Sequence, residues 1–111
     1  MTRRTEKVSA LLQQELGSLM NKLELPFLTT ISKMEVTPDL KWAKAWITIF
    51  TSNEEDENQV LGILKTELPD LQKQINQKLK MKNVPRISFV VDHGEQYASR
   101  IDELLRETKE E

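Results

Sequence analysis

The segment from Trp42 to Phe50 alternates residue by residue. Ala43, Ala45, Ile47 and Ile49 fall on one side, and Lys44, Trp46, Thr48 and Phe50 on the other. Successive side chains of a strand point to opposite faces of its sheet. The segment is therefore a strand with one dedicated apolar face, and other elements must cover that face.

The neighbouring segments supply the covering layer. Residues 29–36 read as a second strand, joined to 42–51 through Thr37-Pro-Asp-Leu-Lys41. That link is a turn: proline pre-sets one backbone angle and Asp39 can bond its own backbone. An antiparallel hairpin follows. Ile31 has the opposite parity from Met34 and Val36, and a bulge near Ser32-Lys33 would bring all three to the core face.

Residues 5–23 read as a helix, with Val8, Leu11, Leu12, Leu16, Leu19, Met20 and Leu23 at helical spacing. Thr5 is the candidate cap, Gly17 weakens the helix, and Pro26 bars it from running on. Residues 57–80 carry the same periodicity, interrupted by Pro69. An interior proline removes a donor and clashes with the preceding turn, so two helices or one sharp kink are expected, the second segment being 70–81. Arg86–Val91 is a third strand, with Ile87, Phe89 and Val91 alternating. After a turn at Asp92-His-Gly94 a last helix is expected over 95–108, with Tyr97, Ile101, Leu104 and Leu105 apolar. The fold class is α+β: a three-stranded sheet covered by helices, in the order α-β-β-α-(kink)-α-β plus a C-terminal helix. One domain over 1–106 and a short acidic tail over 107–111 are expected.

Charge is segregated along the chain. Its net value is −2, but residues 71–91 carry five Lys/Arg and no acid, while 53–70 and 92–111 are acidic. The total hides a polarised molecule. The acids of Asn53-Glu-Glu-Asp-Glu57 stand where a helix begins and suit the positive end of its dipole.

No catalytic constellation emerges. The chain has no cysteine, so thiolate zinc sites, disulfides and a cysteine nucleophile are excluded. Its one histidine, His93, stands beside a turn glycine without companions at metal-ligand spacing and reads as an ordinary surface residue. Three glycines give no phosphate-cradling loop. No enzyme activity, metal, cofactor or small-molecule substrate is expected. The N-terminus lacks the apolar stretch of a secretory signal, and no window approaches the roughly 20 apolar residues of a membrane span. A cytoplasmic monomer is the simplest expectation. Trp46 and Phe50 either pack under the C-terminal helix or form a docking surface for RNA or protein.

Several segments are similar to one known family. Val36-Thr-Pro-Asp-Leu40 followed by Ala43-Lys-Ala-Trp-Ile-Thr-Ile49 resembles the hairpin of ribosome-binding factor A. Val84-Pro-Arg-Ile-Ser-Phe-Val-Val-Asp92 resembles its Val-Pro-x-Leu-x-Phe-x-x-Asp segment, and Arg100-Ile-Asp-Glu-Leu-Leu105 its Arg-Ile-x-x-Leu-Leu ending. Arg4, the Leu11…Glu15-Leu16 spacing and Leu25-Pro26 also look like that family. Two departures stand out. Glu67-Leu68-Pro69 occupies the place of an Ala-x-Gly kink, and there is no Gly-x-x-Gly clamp, which that family also lacks.

The resemblance implies a type II KH-like fold without catalysis or cofactor. It also implies binding to the free small ribosomal subunit and its ribosomal RNA, and a role in late maturation of that subunit, often linked to growth in the cold. The candidate RNA contacts are then the basic residues. Arg3, Arg4 and Lys7 start the first helix, Lys33, Lys41 and Lys44 lie on the hairpin, and Lys73, Lys78, Lys80, Lys82 and Arg86 follow the kink. If about five of them neutralise phosphates, affinity falls roughly a thousandfold for a fourfold rise in salt. The alternative is a protein-interaction module that docks through Trp46 and Phe50 without RNA.

Overall fold

The computed structural model describes residues 3–93. The helix α1 spans Arg3–Met20, the strands β1 and β2 span Thr29–Val36 and Trp42–Ile49, the helix α2 spans Glu54–Lys78, and the strand β3 spans Arg86–Val91. The helix expected over 95–108 and the tail 107–111 lie outside the described residues.

The sheet has the order β1-β2-β3. β1 and β2 are antiparallel, as a short hairpin requires. β2 and β3 are parallel, and the chain reaches β3 through α2. A parallel neighbour needs such a crossover, since a tight turn cannot reverse the chain twice. Register slips between Ile31 and Lys33, which places the bulge at the expected step. Thr29, Met34 and Val36 are buried and Ile31 packs partly against the core.

Ala43, Ala45, Ile47 and Ile49 form the buried face of β2. Ala43 is flanked by Val36 and Ile87 in the neighbouring strands, and Ala45 by Met34 and Phe89. Small residues in the middle strand between larger ones leave room for helix side chains at close-packed density. Val8, Leu12, Leu16 and Met20 fill that room from α1, and Val60, Leu64, Leu71 and Ile75 from α2. Each set recurs at intervals that return to one helix face. The result is the expected two-layer α+β arrangement.

Two expectations change. α1 starts at Arg3, so Thr5 is a buried residue of its first turn and not the cap. Leu11 is 45% exposed, one position off the row that faces the core. Of the two forms expected around Pro69, two helices or one kinked helix, the chain takes a single helix: the segments on either side of the proline are continuous. Leu64 and Leu71, seven residues apart, both reach the core and hold the helix in register across the proline, whose own side chain is exposed. Asn53 caps α2, its Oδ1 accepting from the Glu55 N–H at 2.8 Å, and the acids of the first turn stand at the positive helix end as expected.

Both open edges of the sheet are served by helix side chains. On β1, Ser9 Oγ donates to the Met34 carbonyl at 2.7 Å and Gln13 Nε2 to the Ile31 carbonyl. On β3, Gln72 Oε1 accepts from the Ile87 N–H at 2.9 Å while its Nε2 donates to the Pro85 carbonyl at 3.0 Å. These contacts replace the partner strand that an open edge would otherwise recruit.

Candidate nucleic-acid interface

Three distant parts of the chain converge at one end of the sheet. They are the first two turns of α1, the β1–β2 turn, and the connection from α2 into β3. The Arg86 N–H donates to the Lys41 carbonyl at 2.9 Å, which pins the last two together. Between them lies a groove of about 1210 Å³. Arg4, Lys7, Lys41, Lys80, Lys82 and Arg86 line it, and among the described residues Asp39 is its one acid.

The turn that forms one wall is tightly bonded. Leu40 N–H donates to the Thr37 carbonyl at 2.8 Å, and Thr37 N–H to the Trp42 carbonyl at 2.9 Å. Leu40 has φ 60°, the left-handed region that a branched L-residue enters at a cost of about 1–2 kcal/mol. Its half-buried side chain packs against the core, which offsets part of that cost. Asp39 accepts from the Thr37 hydroxyl and from the Lys41 N–H. Those hydrogen bonds, the Thr37 one foremost, hold its carboxyl below the ordinary value. The acid is thus engaged within its own turn while the surrounding cations face the groove.

The predicted basic residues divide accordingly. Arg4, Lys7, Lys41, Lys80, Lys82 and Arg86 come together. Lys33 and Lys44 lie on the outer sheet face, with ammonium groups 5.3 and 5.6 Å from the centroid of the Trp46 ring. Lys33 also pairs with Glu35 at 3.5 Å. Lys78 pairs with Glu15 of α1 at 3.1 Å and so ties the helices together. Lys73 is exposed on α2 away from the groove. The Arg3 side chain lies outside the described ones.

The aromatic residues divide as well. Trp46 is half-buried, and its indole N–H donates to Glu35. Phe50 is 56% exposed. Trp42, equally exposed, lines the groove. Sequence reasoning gave Trp42 no role, and it missed Leu11, Leu40 and Met81 as apolar groove residues. A signal existed for Leu11, which falls outside the four-residue row Val8, Leu12, Leu16, Met20. His93 Nε2 lies 2.8 Å from Glu57 Oε2 and links the end of β3 to the first turn of α2. Among the described residues no cluster of three or more His, Asp or Glu could hold a metal, and no helix is long and apolar enough to cross a membrane.

The ribosome-binding factor A family profile matches residues 4–105. Ribosome-binding factor A of Chlorobium phaeovibrioides is 37% identical over 116 residues, covering 100% of this chain and 96% of the relative. The solution structure of a Thermotoga maritima protein described as a putative ribosome binding factor A superposes with a TM-score of 0.70 at 21% identity, covering 85% of this chain and 92% of that one. A homology model of the Thermus thermophilus ribosome binding factor A, fitted into a cryo-EM map of a 30S complex, gives a TM-score of 0.63 at 23% identity, covering 74% and 88%. The shared fold is the KH-like one. With the profile spanning the helices, the hairpin and β3 alike, this chain belongs to the ribosome-binding factor A family.

Proposed function

We propose that this protein is a non-enzymatic assembly factor of the cytoplasm. On this reading it binds the free small ribosomal subunit as a monomer, contacts its ribosomal RNA through the basic groove, and assists late maturation of that RNA. The observation that carries the reading is the gathering, among the described residues, of six cationic side chains from three separated segments into one groove with a single acid. A chain of net charge −2 has no general reason to concentrate cations in this way. Phosphate contacts supply the affinity and the position of such a complex, and the shape of the folded RNA supplies specificity. Family membership and the 30S complex of the Thermus thermophilus neighbour support the same partner.

The test is co-sedimentation with purified small subunits at two salt concentrations, with a Lys41→Glu, Lys80→Glu, Lys82→Glu variant alongside. If all six cations meet phosphates, a fourfold rise in salt weakens binding on the order of a thousandfold. The variant is expected to lose binding even at low salt. Wild-type binding that resists salt, or a variant that sediments like wild type, would remove the groove from the interface.

A further inference from the structure

The groove has two chemical parts. Its cations are all exposed, whereas Val8 is buried and Leu40, Met81 and Val84 are half-buried. Trp42 stands at one side with 56% of its surface exposed. In the parallel β2–β3 register Trp42 is the partner of Arg86, so the ring and a guanidinium emerge side by side from adjacent strands. Exposed cations beside half-buried apolar residues, with one exposed aromatic ring, suit a ligand that is both anionic and apolar.

Double-stranded RNA meets half of that description. It presents phosphates and ribose hydroxyls outward and keeps its base faces stacked inside. A helix seated on this groove would pair with the cations and leave the apolar residues and the indole without a partner. An unpaired strand brings phosphates and free base faces together, and aromatic rings in positively charged grooves are where such bases stack.

We infer that the groove takes an unpaired RNA segment, with one base stacked on Trp42 and the flanking phosphates held by the exposed cations, Lys41 and Arg86 nearest the ring in the chain and in the sheet. The inference rests on the small-subunit reading above and narrows it from RNA in general to a single-stranded stretch. It also gives Trp42 a role distinct from that of Trp46, whose indole is already engaged by Glu35 and two lysines.

The chain has two tryptophans, so Trp46→Phe leaves Trp42 as the only indole reporter. That variant is titrated with a short unpaired oligoribonucleotide, an abasic strand of the same length, and a hairpin duplex with as many phosphates. The unpaired strand should quench Trp42 emission and bind about tenfold more tightly than either control. In the otherwise unaltered chain, Trp42→Leu should abolish that preference and Trp42→Phe should keep most of it. Thermal melts of each variant separate these effects from loss of fold.

Equal binding of all three ligands without quenching would overturn the inference. It would leave the groove a phosphate clamp, and salt-sensitive sedimentation with small subunits would persist. If no RNA binds and the charge-reversed variant still sediments like wild type, the wider reading fails too. Binding of an acidic, apolar peptide in place of RNA would likewise overturn the inference.

Discussion

The side-chain amide of Gln72 behaves toward Ile87 as a neighbouring strand would: its Oε1 accepts the Ile87 N–H at 2.9 Å while its Nε2 donates to the carbonyl of Pro85. One residue of α2 thereby completes the edge of β3 and fixes the place where the basic connection enters the sheet. Gln72→Leu should destabilise the protein by about 1–3 kcal/mol, because the Ile87 N–H loses its partner at a covered edge. Gln72→Glu should also be destabilising, since it removes the donor to Pro85 and sets a carboxylate against a carbonyl. Urea unfolding of the three proteins checks both values. Variants as stable as wild type would mean that water serves the edge equally well.

Position within the groove should outweigh charge alone. Lys82→Gln should lower the dependence of log affinity on log salt by about one unit, as expected when one phosphate contact is lost. Lys73→Gln, outside the groove, should leave it unchanged. Lys78→Gln should chiefly affect the tie between the helices through Glu15, a partly exposed pair worth no more than about 1 kcal/mol. Salt titrations of the variants against small subunits decide the ranking.

Within α2, Gly62 and Pro69 both weaken the helix. A Cβ at Gly62 would meet nothing within 4 Å. Gly62→Ala should therefore stabilise the fold by about 1 kcal/mol. Pro69→Ala restores a backbone donor and should stabilise it by up to about 3 kcal/mol if the proline only strains the helix. A loss of stability in chemical denaturation would show that the proline is what lets Leu64 and Leu71 reach the core together.

At Leu40 the usual order of residue preference should reverse. Leu40→Ala and Leu40→Gly both delete the packed side chain, but only glycine enters φ 60° without steric cost. The gain of about 1–2 kcal/mol exceeds or matches the roughly 0.5–1 kcal/mol by which glycine favours the unfolded chain. Leu40→Gly should thus be at least as stable as Leu40→Ala in thermal unfolding. A clearly less stable glycine variant would mean that the turn relaxes when alanine is introduced.

Asp39 should titrate below its ordinary value of 3.8 in the folded protein. A depressed carboxyl adds stability above the unfolded value, and that contribution is lost as pH falls through the folded one. Thr37→Val removes the largest cause, the hydroxyl donor, and should move the titration back up. Carboxyl-detected NMR titration of wild type and variant measures the change. An unmoved Asp39 would assign the shift to the Lys41 N–H instead.

Much of this protein can be read from its residues. Strand alternation from Ala43 to Ile49, the four-residue row along α1, and the parity break at Ile31 each depend on local periodicity. Local periodicity survives folding wherever one face is buried. The fold class, the bulge and the family resemblance followed from it. So did the segregation of charge along the chain.

Other features were settled only when distant segments met. No local signal states that β3 lies parallel to β2, that one helix runs through Pro69, or that Gln72 serves the edge of β3. The basic site is the clearest case. Sequence order grouped Lys73 and Lys78 with Lys80 and Lys82, whereas the folded chain joins Lys80 and Lys82 to Arg4, Lys7 and Lys41. The reason is physical: a helix turns its successive side chains around its axis, and only packing decides which of them share a surface with the start of α1 and the hairpin turn.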